Sequence, residues 1–205
     1  MNRIKRNTTL WAALVLAVGL PASAATWEFD GAHSAASFSV RHLMISTVRG
    51  DFKHLTGSID WDGKDAASVK IDATVDVTTI NTGEPDRDKH LKSPDFFDVA
   101  KYPTMTFKSK KATSAGPNKM KVVGDLTIHG VTKEATLDVE FTSVIKDPWG
   151  NEKFGATATT TIDRTAFGLT WNKALEAGGV MVGTDVAITI DAELTKKKAP
   201  PAATK

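Results

Sequence analysis

The sequence predicts an all-β domain of about eight antiparallel strands, arranged as a sandwich or as an up-and-down barrel. Apolar and polar residues alternate most clearly over residues 69–77, 135–141 and 186–194, so each strand has one buried face and one solvent-exposed face. Weaker alternation is found in five further runs: 36–43, 49–61, 104–109, 120–129 and 154–163. Turn sequences separate many of the runs: Asp62-Gly63, Gly116-Pro117-Asn118, Asp147-Pro148-Trp149-Gly150 and Gly178-Gly179. The pattern does not choose between the two architectures.

Residues 81–102 lack this alternation and predict a short helical insertion in the β domain. Ser93-Pro94-Asp95 has the form of an N-cap followed by proline at the first helical position. Helical pieces are therefore expected near 84–92 and 94–99. The insertion can be a plug or lid over one mouth of a barrel, or it can be a decorated crossover between strands, and the sequence leaves both interpretations open.

The first 24 residues have the organisation of a secretory signal peptide. Three basic residues near the start precede the apolar run Leu10–Leu20, and Ala22-Ser23-Ala24 provides the small residues of a cleavage site. A bilayer span needs about 20 apolar residues, so this run is short for one. We expect cleavage after Ala24 and, in a bacterium with two membranes, export to the periplasm. An uncleaved N-terminal anchor is the alternative interpretation.

Charge and cysteine content restrict the function classes. Removal of residues 1–24 takes away three basic residues and no acidic one, which lowers the formal charge from +2 to −1. Nothing in this balance suggests a nucleic-acid partner. The chain has no cysteine, which excludes disulfides and thiol catalysis. Residues 196–205 are rich in Lys, Pro and Ala without an apolar pattern, so they predict a disordered tail.

Sequence motifs of known catalytic centres are not found. The chain has no G-x-S-x-G elbow, no P-loop and no H-E-x-x-H sequence. Its five histidines form no short-spaced metal-ligating pair, although a site assembled from distant strands is not ruled out by spacing. His54 and His129 are expected in turns or on the surface, and His129 precedes Gly130 in a hairpin sequence. We predict no cofactor and no metal.

Polar residues near two of the strands are candidates for binding. Phe38, Val40 and His42 have the same parity, so His42 should point inward with them while Arg41 points outward. His33, His42, Asp163 and Arg164 could form a polar head-group site at the mouth of an apolar cavity. A buried ion pair or strand-closing hydrogen bonds would use the same residues.

Motifs along the whole chain after residue 24 resemble the YceI-like family of bacterial periplasmic proteins. The opening stretch runs from Trp27 to His42, with the pattern WEFDGAHSAASFSVRH. Further matching segments follow in order: Val48–Phe52, Gly57–Ile59, Ile80–Gly83, Arg87–Ser93, Phe96–Asp98, Tyr102-Pro103, Gly124–Thr132 and Asp163–Gly168. The resemblance covers residues 25–195, which we interpret as one YceI-like domain.

The resemblance implies a lipocalin-like antiparallel β-barrel with a helical segment, holding a polyisoprenoid or similar amphiphilic lipid. It implies no enzymatic activity. Eight residues on apolar strand faces are expected to line the lipid site: Phe38, Val40, Val75, Met105, Phe107, Leu126, Ile128 and Phe141. A carrier of this kind would also contact membranes or membrane proteins transiently.

Two other function classes compete with a lipid carrier. An interaction protein would have a filled barrel that supports a docking surface, and it would yield no stoichiometric lipid on extraction. An enzyme acting on a lipid head group would need an acid–base pair in the pocket. Asp163 or Asp30 paired with His33 or His42 is the candidate pair for that chemistry.

Overall fold

The computed structural model describes residues 24–176 and 178–198, which contain eleven strands and one α-helix. The strands are β1 (Ala25–Phe29), β2 (Ala35–His42), β3 (Ser46–Phe52), β4 (Leu55–Trp61), β5 (Lys70–Asp76), β6 (Thr104–Gly116), β7 (Lys119–Ile128), β8 (Val131–Phe141), β9 (Ile145–Lys146), β10 (Glu152–Asp163) and β11 (Val182–Lys196), and the helix is α1 (Pro85–Lys92). Residues 1–23, nearly all of the predicted signal peptide, and residues 199–205 lie outside the described ranges. Within those ranges, no helix has the length and hydropathy of a membrane span.

The strands form a closed antiparallel barrel, because β10 pairs with β11 along its whole length and joins the two edges of the sheet. β1 and β2 lie end to end along β11, and β4 and β3 lie end to end beside them. The wall therefore has eight positions: β1/β2, β4/β3, β5, β6, β7, β8, β10 and β11. The prediction of an antiparallel barrel of about eight strands is confirmed, and the alternative of a sandwich is wrong.

The run 49–61 is divided into two strands at Lys53-His54. His54 has a φ of 58°, a left-handed conformation that cannot continue a strand. After the break, β4 pairs with β5. Before the break, β3 pairs with β2 but not with β5, and residues 77–102 lie where a neighbouring strand would otherwise be. Asp51 and Asn81 form a two-way backbone bridge that attaches this segment to β3.

The helical insertion contains one helix rather than two. Glu84 caps α1 through bonds to the amides of Asp86 and Arg87, and Pro85 occupies the first turn, so the helix predicted near 84–92 is confirmed. The prediction of a second helical piece at 94–99 is wrong. Ser93 ends α1 instead of starting a new helix, and the amide of Phe97 bonds back to the carbonyl of Leu91 at 3.0 Å. Residues 94–97 are consequently turns.

Aromatic side chains fill the interior at one end of the barrel, the closed end, where β1 and β10 begin. Trp27 and Phe154 meet edge to face at 4.8 Å, and Trp61 contacts Phe141 at 4.9 Å and Phe154 at 5.6 Å between ring centroids. We call these four residues the aromatic plug. Trp27, Trp61 and Phe154 are each at most 4% exposed, and T-shaped contacts of this kind add about 0.5–1.5 kcal/mol each beyond area burial.

The opposite end, the open end, is where β2 finishes and β11 begins. Two smaller clusters of buried apolar residues lie there, one with Phe52, Val77 and Ile80 and one with Ile128 and Phe167. Phe97 and Met105 pack against both clusters.

The chain remains in the barrel slightly beyond the predicted domain end at residue 195. β11 continues through Lys196, and the amide of Lys197 donates to the carbonyl of Thr26 at 2.8 Å. The first two residues of the predicted tail 196–205 therefore belong to the sheet or are bonded to it.

The turn between β2 and β3 has an unusual backbone. Leu43 and Met44 have φ values of 50° and 63°, and the amide of Ile45 donates to the carbonyl of His42 at 3.1 Å. Positive φ at both central residues is typical of a type I′ turn, which favours Asn-Gly. For residues with larger side chains, the left-handed conformation costs about 1–2 kcal/mol each.

Candidate functional site

An apolar cavity of about 110 Å³ lies inside the open half of the barrel. β2, β6, β7, β10 and β11 contribute its walls, and Leu91, Phe96 and Phe97 from α1 and the following turn close one side. The insertion therefore forms part of the cavity wall. Hydrocarbon can occupy an apolar space of this size, whereas water finds few hydrogen-bond partners there.

Small residues keep this space open. Gly50 lies opposite Phe38 in the β2–β3 ladder, and a Cβ at Gly50 would be 2.7 Å from the Phe38 ring. The ring can therefore lie flat against β3 only because position 50 has no side chain. Ala36, two residues before Phe38, also lines the cavity with a single methyl group.

The cavity continues into a vestibule of about 340 Å³ at the open end. Phe38, Val40, Leu91, Phe96 and Val182 line both spaces, so they are parts of one interior. The vestibule adds polar side chains that the cavity lacks: His42, Glu84, Asp86, Arg87 and His90.

Two vestibule residues are held in place by their neighbours. The His90 Nε2 atom is 3.0 Å from the Asp95 carboxylate, and the ring meets Phe96 and Trp171 edge to face. The Arg87 guanidinium donates to the hydroxyl and the carbonyl of Thr82 at 2.7 and 2.9 Å. These contacts fix polar groups at the rim in defined orientations.

Arg164 lines the inner cavity and is only 4% exposed. Its guanidinium donates to four backbone carbonyls, those of Leu169, Trp171, Val182 and Gly183. Burial lowers the pKa of Arg164, but an arginine remains charged in a protein. Arg164 therefore ties residues 169–171 to the start of β11 and leaves a positive charge beside the cavity.

The predicted apolar lining divides between the two ends of the barrel. Phe38, Val40, Met105 and Ile128 line the cavity, and Val75 packs against the Phe52 cluster beside it. Phe107, Leu126 and Phe141 also point inward, but they pack against the filled core around the aromatic plug. Four of the eight predicted residues therefore line the cavity and Val75 lies beside it, whereas neighbouring side chains occupy the space in front of the other three.

The predicted head-group residues do not form one site. His42 lines the vestibule, and Arg41 is exposed, as parity predicted. Asp163 is exposed and bonds to the amide and hydroxyl of Thr165, contacts that lower its pKa. His33 lies in the β1–β2 turn, a full strand length from His42. The acid–base pairs suggested for an enzyme are therefore not assembled in the cavity.

His33 belongs to an ion cluster on the outside of the barrel. The Lys153 ammonium bonds to the carboxylates of Asp30 at 3.1 Å and Glu193 at 2.6 Å, and His33 Nδ1 is 3.2 Å from Asp30. The Lys153 bond is the main reason that the pKa of Asp30 falls to about 2. A lysine already occupies the place between the carboxylates that a cation would need, so the cluster is a structural ion pair.

Sequence reasoning missed several residues of the site. Val186 and Ile188 line the cavity, and their alternation in the last strand was a usable signal. Arg87, His90 and Trp171 line the vestibule, but they lie outside the alternating strands. Only the folded position of α1 and of the segment around Trp171 brings them to the open end.

Comparisons with known proteins match this architecture. A family model described as the YceI-like domain matches residues 27–194. A UPF0312 protein of Staphylococcus aureus is 44% identical over 170 residues, which are 82% of this chain and 96% of that protein. The crystal structure of a Campylobacter jejuni YCEI protein is 37% identical, covers 77% of this chain and 90% of its own, and has a TM-score of 0.66. A Saccharophagus degradans domain described as polyisoprenoid-binding shares the fold at 16% identity, with 85% and 99% coverage and a TM-score of 0.59.

The ion cluster predicts a specific acid dependence of stability. The folded-state pKa of Asp30 lies below its ordinary value of 3.8, so its stabilisation is present at neutral pH and is lost as the pH falls from about 4 through about 2. Lys153→Met should lower the free energy of unfolding by about 1–2 kcal/mol near pH 6, allowing for partial solvent screening. Most of the difference from wild type should be lost at pH 2, where about half of Asp30 is protonated in the folded protein.

Urea unfolding at a series of pH values measures this difference. Lys121→Met is the matched control, because Lys121 pairs with Asp138 in a contact where both side chains are more than half exposed, and it should change stability little at any pH. A Lys153→Met deficit that persists at pH 2 would show that Lys153 acts by packing rather than through Asp30.

Proposed function

The chain belongs to the YceI-like family, and from the geometry of its barrel we propose that it binds or carries an amphiphilic lipid of the isoprenoid class. The observation that carries the proposal is an apolar cavity that shares five lining residues with a vestibule containing polar side chains. The apolar tail enters the cavity and the head group remains in the vestibule.

The apolar part of the interior suits a branched hydrocarbon tail. Each buried methylene contributes about 0.8 kcal/mol relative to water, but a lipid leaves a membrane rather than water, so its transfer into the barrel is close to neutral. Near-neutral transfer suits a carrier, which must take up its cargo and also release it. The aromatic plug limits how deep a tail can reach, so a long polyprenyl chain inserts its end while the rest stays in the vestibule or outside.

The polar part of the interior favours an electronegative head group. Arg164 places a buried positive charge beside the cavity, and Arg87, His42 and His90 supply donors at the rim. Glu84 and Asp86 add negative charge on the helix side, which disfavours a highly charged anion there. A quinone or a singly charged phosphate ester matches this balance. The polyisoprenoid-binding description of the Saccharophagus domain supports the isoprenoid class.

We propose that the carrier works in the periplasm after loss of residues 1–24. Export is supported by the basic start of the chain, the apolar run that follows it and the small residues at the expected cleavage site. β1 begins at Ala25, directly after that site. N-terminal sequencing of the protein from a periplasmic extract should therefore read Ala25 first. Full-length protein recovered in the membrane fraction would contradict processing.

Two variants that place a glutamate at different depths of the same strand distinguish a barrel with a lipid site from a barrel with a solid core. Ile128 and Val122 lie on the inward face of β7 and are 3% and 0% exposed, but Ile128 lines the cavity and Val122 lies in the filled core. Ile128→Glu should leave the protein folded, because its carboxylate can reach the vestibule or Arg164, and should abolish lipid content. Val122→Glu should unfold the domain, because an unpaired charge in a closed core costs several kcal/mol.

The measurements are the thermal midpoint and the lipid found by mass spectrometry in organic extracts of protein purified from its own host. Wild type should carry isoprenoid lipid near one molecule per chain. If wild type carries none and both variants unfold alike, the interior is a solid core and the carrier proposal is wrong.

A further inference from the structure

We propose that the turn between β2 and β3, residues 43–45, is a docking tip that inserts into an anionic lipid bilayer and places the open end against the membrane. The inference rests on the proposed function, because a carrier of membrane lipids must meet a bilayer at the mouth of its site. It adds the segment that makes this contact and the chemistry of the surface that it contacts.

Apolar side chains are exposed at this turn. Met44 and Ile45 are 54% and 79% exposed, although folding normally buries side chains of this kind. The turn directly follows His42, which lines the vestibule. A surface that covers Met44 and Ile45 therefore lies next to the opening through which cargo passes.

The turn is held in its shape despite an unfavourable backbone. The amide of Leu43 donates to the carbonyl of Met181 at 2.7 Å, and the Arg41 guanidinium donates to the carbonyl of Met44 at 3.0 Å. Met44 also lies close to Gly179, where an added Cβ would be 3.3 Å from its Cγ. Large apolar residues stand where the turn type favours Asn-Gly, which points to a use for their side chains.

The charge around the tip selects an anionic surface. Arg41 and Arg49 are exposed neighbours across the β2–β3 ladder, and the sequence has no acidic residue between Asp30 and Asp51. An apolar tip beside basic side chains is the pattern of a segment that lies in the headgroup region of anionic bilayers. The acidic residues Glu84 and Asp86 line the vestibule from the cap and first turn of α1.

A second group of exposed apolar residues provides a matched comparison. Ile145 and Trp149 are 62% and 81% exposed in the loop between β8 and β10, at the closed end of the barrel. Docking through that loop would point the cavity away from the membrane. Ile45→Ser and Ile145→Ser therefore make the same chemical change at opposite ends of the protein.

The test is co-sedimentation of the purified full chain, as its host processes it, with vesicles that contain no isoprenoid. One set is phosphatidylcholine alone, and the other is phosphatidylcholine with phosphatidylglycerol in a seven-to-three ratio. Ile45→Ser should weaken partition onto the mixed vesicles about tenfold, and Ile145→Ser should leave it unchanged. Arg49→Gln should weaken it by a smaller factor of about five. Any contribution from residues 1–24 is common to all variants.

Loss of binding in Ile45→Ser but not in Ile145→Ser, together with a preference for the anionic vesicles, supports the docking tip. No vesicle binding by wild type, equal loss in both isoleucine variants, loss only in Ile145→Ser, or equal binding to both vesicle types would overturn it. Lipid content of the same preparations is measured separately. A docking failure in lipid-loaded protein rejects the tip alone, whereas lipid-free protein rejects the carrier proposal.

Discussion

The interior of a closed eight-stranded barrel is only wide enough for side chains or for one small ligand, and in this protein the aromatic plug decides where each is found. Trp27, Trp61, Phe141 and Phe154 come from four different strands and meet across the axis at the closed end. With the other core residues around them they fill this end of the barrel, and the apolar cavity lies in the other half. The cavity, the polar vestibule and the exposed turn beside it all lie at the other end as a consequence.

The open end differs because the wall there is incomplete and irregular. The break at His54 separates β4, which pairs with β5, from β3, which does not, and residues 77–102 lie beside β3 with α1 and turns instead of a strand. Residues 169–171 are irregular too, and Arg164 binds the carbonyls of Leu169 and Trp171 together with those of Val182 and Gly183 at the start of β11. Residues 77–102 also place Arg87 and His90 of α1 at the rim, where a regular strand would not have placed them.

Alternation in the sequence predicted the barrel strands and the inward face of each, but not the depth of a residue along the axis. Met105 and Phe107 share a face, yet Met105 lines the cavity and Phe107 packs in the filled half. Depth depends on side chains across the barrel, which one strand's pattern does not contain. His33 and His42 could have been separated from the sequence, because an eight-residue strand between them spans about 26 Å. The helix predicted at 94–99 failed because Ser-Pro-Asp also suits a turn that follows a helix.

A cavity of limited depth is central to the proposed carrier function, and a series of ligands of increasing chain length measures that depth. Isoprenoid alcohols of about two to about eight units can be titrated into lipid-free protein, with complexes counted by native mass spectrometry. Affinity should rise with each added unit until the cavity and vestibule are filled, and then remain constant because the aromatic plug stops the tail. A steady rise through the longest chain, or no one-to-one complex at any length, would contradict the account.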